Sequence, residues 1–351
     1  MKKIAIVLTG VIKNNIESLH LVNSIIKDLR SDFHIDVFCH CWDSNDKFTM
    51  NVDLIDEVIN KELPSENHDI EGTLQEIFSP SEIIKSKFSE MYSPYYLEYL
   101  HYVEDKSHII DFLNSASTSL SVIKNFKNME SNNKNYSIKD KIKTLQLFDS
   151  YVTFVNKFSQ MYAFSETLRH VKNEDDYDAV IRWRYDVVTN KEFIPNIKKM
   201  IHSISDGIYV NGAWLQHNSV KTVHDVFNKP FINTNDFNKI IYLQDLFWCV
   251  SKNYFDAISD DKFLKRYSEN IVDITNIYKR TSQDIFMNSH AIFWKTLVEH
   301  NIPISVNNTD AKISSFIVRN SKGLTIEDMN LEYDIFFEKY HIEKVKYANF
   351  T

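Results

Sequence analysis

Glycine and proline are scarce in this chain, five and six in 351 residues. A β-sandwich with many tight turns needs more of both, so that class is disfavoured. No GxGxxG or GxxxxGK[ST] run occurs, so no glycine-rich loop cradles phosphates and any nucleotide must be held by side chains. Cysteine is rare too: Cys39, Cys41 and Cys249 are too few for a disulfide framework and suit a reducing compartment. No apolar run reaches membrane-spanning length. Met1-Lys2-Lys3 followed by Ile4 to Leu8 imitates a signal peptide, but the run is short, Lys13-Asn14-Asn15 interrupts it and no small-residue cleavage site follows. A cytoplasmic protein is expected. A surplus of positive charge is also missing, since 40 Lys and Arg stand against 48 Asp and Glu for a net charge of −8. That balance disfavours a surface that coats nucleic acid.

What remains is ample core material, 43% hydrophobic and 13% aromatic residues, enough for a large globular domain. Ile4-Ala5-Ile6-Val7-Leu8 is a continuous apolar run of strand length, the pattern of a strand buried on both faces. Leu19, Val22, Ile25, Ile26 and Leu29 then recur at helical spacing, and a second strand follows over residues 35–42. Strand, helix, strand with short connections predicts a right-handed parallel unit. The expected fold class is therefore α/β, a mostly parallel sheet flanked by helices. From about 44 to 143 the pattern is helical and polar, with a helix start at Ser79-Pro80-Ser81-Glu82 and a cluster of Tyr92, Tyr95, Tyr96, Tyr99 and Tyr102. This span reads as an inserted helical subdomain. Further strands are expected at 177–186, 208–210, 304–306 and 314–319, and helices at 144–171, 244–258 and 282–300.

The segment Val180-Ile181-Arg182-Trp183-Arg184-Tyr185-Asp186 carries the chemistry. Alternation along a strand projects Arg182, Arg184 and Asp186 to one side, and Trp183, Tyr185 and Val187 to the other. Unpaired buried charge is costly, so the charged face must meet a partner or open onto a crevice. Ligands of open α/β sheets bind beyond the carboxyl ends of strands, where Asp186 falls. A carboxylate there can hold a divalent ion or a ribose hydroxyl, while two guanidiniums can fork onto that carboxylate or onto a diphosphate. The alternative is a strand end whose charges simply satisfy one another.

These motifs together resemble bacterial glycosyltransferases of the GT-A type found in surface-polysaccharide gene clusters. The resemblance rests on Thr9-Gly10-Val11-Ile12-Lys13, on Asp36-Val37-Phe38-Cys39-His40-Cys41-Trp42-Asp43, and on Tyr177-Asp178-Ala179-Val180-Ile181-Arg182-Trp183-Arg184-Tyr185-Asp186. Weaker echoes are Phe78-Ser79-Pro80, Ser159-Gln160-Met161-Tyr162, Asp245-Leu246-Phe247 and Ser315-Phe316-Ile317-Val318-Arg319. It implies a GT-A-like, Rossmann-related domain over 1–320, with 44–143 inserted and 321–351 as a C-terminal extension. It implies transfer of a hexosyl or pentosyl group from a nucleotide-sugar, UDP-type, to a hydroxyl of a glycan or similar acceptor. Thr9, Gly10, Lys13, His40, Arg182, Arg184 and Asp186 are then the donor-binding candidates. Asp186 and Asp245 are the catalytic ones, Asp245 as general base or, more simply, as a first-turn helix acid.

The sequence departs from the pattern it resembles at three points: Thr9 stands where serine is usual, Lys13 where arginine is usual, and Arg184 replaces the first carboxylate of Asp-x-Asp. If Mn²⁺ or Mg²⁺ is a cofactor, Asp186 with phosphates and water must supply the oxygen ligands. Cys39-His40-Cys41 lacks a second close pair and reads as a buried strand end, not a zinc site. A second reading keeps the chemistry and takes hydroxymethylated DNA as acceptor, contacted by the lysines between 124 and 143. A third is a non-catalytic module that binds a nucleotide or a partner protein.

Overall fold

The opening apolar run becomes β1, Lys3–Thr9, buried from Ile4 to Thr9. In this computed structural model the described residues are 1–10, 12, 16–43, 69–87, 90, 95, 157–172, 176–189, 191–204, 206–210, 213–215, 241–243, 247–279, 288–306, 316–317 and 325–330. Helix α1, Ile16–Leu29, leads to β2, His34–Trp42. Helix α2, Ile70–Phe78, precedes β3, Glu82–Ser86. A helix over 157–172, α3, precedes β4, Ala179–Arg184, and β5, Val187–Val188. Then follow α4 (Ile194–Ser203), β6 (Ile208–Val210), β7 (Ala213–Leu215), β8 (Ile241–Leu243) and β9 (Phe247–Ser251). The described chain continues through α5 (Phe255–Ser259), α6 (Asp261–Lys279), α7 (Asn288–Glu299), β10 (Ile304–Val306) and β11 (Phe316–Ile317).

Seven strands form one sheet in the order β10-β6-β9-β4-β1-β2-β3. All run parallel except β9, which is antiparallel to both β4 and β6. The architecture is thus a mixed, mostly parallel sheet with flanking helices. One face is wholly apolar, formed by Ile6, Leu8, Cys39, Ile181, Trp183 and Cys249 and covered by α1, α2 and α4. α1 docks because its apolar residues share one stripe, with Leu19, Val22, Ile25, Ile26 and Leu29 all buried. The opposite face packs against α3 and α7, where Trp248 meets Phe164 at 4.5 Å and Phe293 at 4.7 Å between ring centroids.

Two expectations are corrected. Residues 244–258 do not form one helix: Phe247–Ser251 is a central strand buried at every position, and helical backbone begins only at Lys252, as a 3₁₀ turn over Lys252–Tyr254 that runs into Phe255–Ser259. A short run that is apolar throughout reads the same in a buried strand as in a buried helix. Ser79-Pro80-Ser81-Glu82 does not start a helix either. Ser79 ends α2 in a left-handed conformation with its N–H on the Gln75 carbonyl, and Glu82 opens edge strand β3. The 44–143 span therefore contributes a strand to the main sheet, and 44–68 and 96–143 lie outside the described residues. The expected strand at 314–319 is present as β11, paired antiparallel with β5.

Candidate functional site

Register fixes which side chains share the polar face. Val7 pairs with Arg182 and Thr9 with Arg184, while Arg182 also pairs with Trp248 of β9. Paired residues of neighbouring strands project to the same side of a sheet. Arg182, Arg184 and Thr9 thus stand together at the carboxyl end of the two central strands, opposite the apolar face that holds Trp183.

The strand ends at Arg184, and Asp186 lies in the turn just beyond it. From that turn Asp186 reaches back. Arg184 Nε donates to Asp186 Oδ1 at 2.8 Å and Arg184 Nη2 to Oδ2 at 2.7 Å, a two-pronged charge-assisted contact. The third prong comes from α3: Arg184 Nη1 donates to Gln160 Oε1 at 3.0 Å, and Arg182 Nη2 donates to the same oxygen at 2.9 Å. One neutral carbonyl thereby bridges two guanidiniums. Arg182 also lies over the Trp248 ring, 5.6 Å from its centroid. Accessibility separates the two arginines, because Arg182 is 2% exposed whereas Arg184 and Asp186 keep 12% and 16% of their side chains open. Arg184 and Asp186 form the surface of the cluster, and Arg182 supports them from beneath.

Tyr185 holds the turn in place, a role that sequence reasoning missed. Its N–H donates to the Thr9 carbonyl at 3.0 Å, its carbonyl accepts from Ser18 Oγ at 3.0 Å, and its hydroxyl donates to the His40 carbonyl at 2.8 Å. Burial pushes its phenol well above the ordinary value. One fully buried tyrosine therefore ties β1, β2 and α1 to the residue beside Asp186. The available signal was an aromatic with a polar tip at the end of an apolar strand, which must find a partner when buried.

Gly10 follows β1 with φ at +122°, a conformation that costs little only for glycine. A methyl group there would have room, since the nearest atoms, Tyr185 Cδ2 and N, lie 3.8 Å away. Strain alone should therefore decide the effect of Gly10→Ala. The expected loss is about 1 kcal/mol of unfolding free energy, read from the urea midpoint; an unchanged midpoint would mean that the turn relaxes without cost.

Thr9 and His40 are both fully buried. His40 Nε2 lies 3.0 Å from Ser86 Oγ, and burial holds the ring neutral by lowering its pKa to about 3. Among the described residues its Nδ1 and the Thr9 hydroxyl have no hydrogen-bond partner. Both side chains lie below the surface formed by Arg184 and Asp186. Cys39 and Cys41 point into the apolar core, where burial raises their thiols to about 12 and about 11. The Cys39-His40-Cys41 run is thus divided between the two faces. Trp42 stacks on Tyr162 at 6.1 Å, and Tyr162 meets Tyr95, which donates to Asp261 Oδ1 at 2.6 Å. Tyr95, the described member of the tyrosine cluster, is 6% exposed and belongs to an interior aromatic face.

Lys13 and Asp245 lie outside the described residues. β9 begins at Phe247, two residues after Asp245 in sequence, and Phe247 pairs with Trp183 beside the Arg184 end of β4. The donor set also tests a Mn²⁺ or Mg²⁺ ion. Both Asp186 oxygens already accept from Arg184, and among the described residues no group of three or more His, Cys, Asp or Glu could hold a metal. The described residues alone supply no ligand set for a divalent ion at this position.

No family model matches the chain, and no curated protein matches it. Solved structures similar to it include a galactosyltransferase in complex with donor and acceptor sugar analogues. That enzyme is 8% identical with a TM-score of 0.31, over 87% of this chain and 72% of the other. Mouse xyloside xylosyltransferase 1 is 8% identical with a TM-score of 0.32, over 87% and 84%. Core-mannan synthase A from Aspergillus fumigatus, in its Mn/GDP form, is 10% identical with a TM-score of 0.34, over 97% and 85%. Scores this low leave the functional reading to rest on the site itself.

Proposed function

We propose that this chain is a glycosyltransferase that moves a sugar from a nucleotide-sugar, UDP-type, to a hydroxyl of a glycan acceptor in cytoplasmic synthesis of a surface polysaccharide. The observation that carries the reading is the partly open Arg184–Asp186 pair at the carboxyl end of the central parallel strands. Gly10 stands at the adjacent strand end, and Gln160 and Arg182 brace the pair from behind. This is where an α/β sheet receives a ligand, and a guanidinium there is suited to a diphosphate.

In the reaction, the acceptor oxygen forms a bond to the anomeric carbon as the bond from that carbon to the diphosphate oxygen breaks. The acceptor proton passes to a general base, for which Asp245 is the candidate, and the nucleoside diphosphate leaves with the bonding electron pair. Arg184 meets the charge that develops on the leaving group, the main electrostatic demand of such a step. Asp186 holds the guanidinium in orientation and offers its carboxylate to a ribose hydroxyl.

A panel of UDP-, GDP- and TDP-sugars offered to the full chain should show one donor hydrolysed or transferred, with release of its nucleoside diphosphate. The same donor should raise the melting temperature. If no member of the panel is turned over and none shifts the melting temperature, the reading is wrong.

A further inference from the structure

We infer that the late segment 316–330 is a working part of the site, because β11 positions the turn that carries Asp186 and Met329 secures that arrangement from within the core. This role rests on the transferase reading and extends it from the side chains of the site to the backbone that holds them. The Arg184–Asp186 fork joins residues two apart in sequence, so its geometry depends on what fixes the backbone at each end. The upstream end is secured by the main sheet. Arg184 pairs with Thr9, and Tyr185 is hydrogen-bonded to Thr9, Ser18 and His40.

The downstream end has left that sheet. Val187 and Val188 form β5, whose strand partner is β11, with Ile317 opposite Val187 and Phe316 opposite Val188. The residue that follows Asp186 therefore takes its place from a strand contributed much later in the chain. A second contact closes across the turn, where Trp183 Nε1 donates to the Val187 carbonyl at 2.8 Å. Asp186 is the residue between two fixed points, Tyr185 and Val187.

The downstream anchor is not a surface contact. Val187 and Val188 are fully buried, in the same apolar core as Trp183, Tyr185 and Phe193. Met329, 1% exposed, joins that core from the short 3₁₀ turn Glu327–Asn330. Asp328 Oδ2 accepts from the Thr325 N–H at 2.9 Å and from Thr325 Oγ1 at 3.0 Å, which closes the turn that presents Met329. The segment is thus attached twice, by backbone at β5 and by a side chain in the core. A division of the chain at residue 320 would separate the two attachments.

A two-residue ladder adds little to global stability, because each of its hydrogen bonds replaces one to water. Its leverage on the site is much larger, since a misplacement of about 1 Å can cost on the order of 100-fold in rate. Positioning by β11 therefore predicts a large functional loss beside a small change in stability.

The test is made on the full chain with Phe316→Pro and Ile317→Pro. In an antiparallel pair alternate residues direct their N–H groups at the partner, so one of these two variants removes a ladder bond. Two readouts apply. Exchange of the Arg184 Nε–H with water, followed by NMR and identified by the signal lost in Arg184→Lys, should become about tenfold faster or more as the fork loosens. Turnover of the preferred nucleotide-sugar per folded molecule should fall about 30-fold, with the melting temperature within about 3 °C of wild type. Met329→Ala should move both readouts the same way, and Met329→Leu, which nearly keeps the volume, should restore them. Wild-type exchange and turnover in both proline variants would overturn the inference and leave the transferase reading standing. So would a loss confined to the melting temperature, which would make β11 merely structural. Faster exchange in a protein that turns over no nucleotide-sugar, even as wild type, would uphold the positioning by β11 and sink the transferase reading.

Discussion

Arg184→Lys is expected to slow nucleotide-sugar turnover about 100-fold while leaving the melting temperature within about 2 °C of wild type. Lysine keeps the charge, so the field at the site changes little. The geometry changes completely, because one ammonium cannot bridge both Asp186 oxygens at 2.8 and 2.7 Å and also reach Gln160 Oε1 at 3.0 Å. A diphosphate then meets a mobile point charge where it would have met an oriented fork. A factor of 100 corresponds to about 2.7 kcal/mol of transition-state stabilisation, the magnitude measured when a single preorganised donor is lost from an active site. If the cluster serves only to satisfy its own charges, the outcome reverses. Turnover per folded molecule would then not change. Initial rates and melting curves on the same preparation separate the two. A variant that keeps the wild-type rate removes Arg184 from the chemistry.

Much of the fold was legible because burial on both faces leaves a simple signature. The apolar runs at Ile4 to Leu8 and at Val180 and Ile181 became the central strands β1 and β4, and the helical stripe of α1 was buried as its spacing required. The same signature misled at Phe247–Ser251. In a strand flanked by two others and covered on both faces, no polar alternation survives to distinguish it from a helix. The error at Ser79 arose because a serine followed by proline can end one element or begin another. Only the left-handed backbone at Ser79, closing α2 onto Gln75, decides the matter.

The site divides in the same way. Strand alternation placed Arg182 and Arg184 on one face, and the register with Val7 and Thr9 agrees. That Asp186 sits in a turn and reaches back to Arg184 depends on Tyr185, whose three hydrogen bonds run to Thr9, Ser18 and His40. Gln160 comes from the preceding helix, 22 residues before Arg182 and 24 before Arg184, and only tertiary packing brings its oxygen between the arginines. No local pattern encodes such a contact. The burial of Thr9 was likewise invisible, since a strand's last residues look alike whether they line a crevice or lie beneath it, whereas His40 is buried as the reading of Cys39-His40-Cys41 as a buried strand end expected.

His40 should make the protein lose stability on mild acidification, well above the pH at which carboxylates titrate. Burial alone lowers its folded pKa to about 3 from an ordinary value of 6.5. Among the described residues the groups recorded against it are uncharged: Ser86 Oγ at Nε2, the Trp42 ring edge-on at 4.9 Å, Ile84 across the β3 register, and the Tyr185 hydroxyl on its carbonyl. The sign follows from the direction of the shift. Below about pH 6.5 the unfolded chain takes up a proton at this ring and the folded chain does not, so stability is complete above that value and is lost as pH falls toward 3. Over the interval from pH ~7.5 to ~5 the loss amounts to about 2 kcal/mol. Asp32, Asp261 and Glu299, held below their usual carboxylate values, lose their contributions only at lower pH, and Glu166, raised by burial, acts in the opposite direction. These terms are common to wild type and to His40→Gln, so the difference between the two proteins isolates the ring. Urea unfolding across the interval should show the wild type losing more than twice as much stability as His40→Gln. Equal slopes would mean that His40 is not held neutral and that another group titrates in its place.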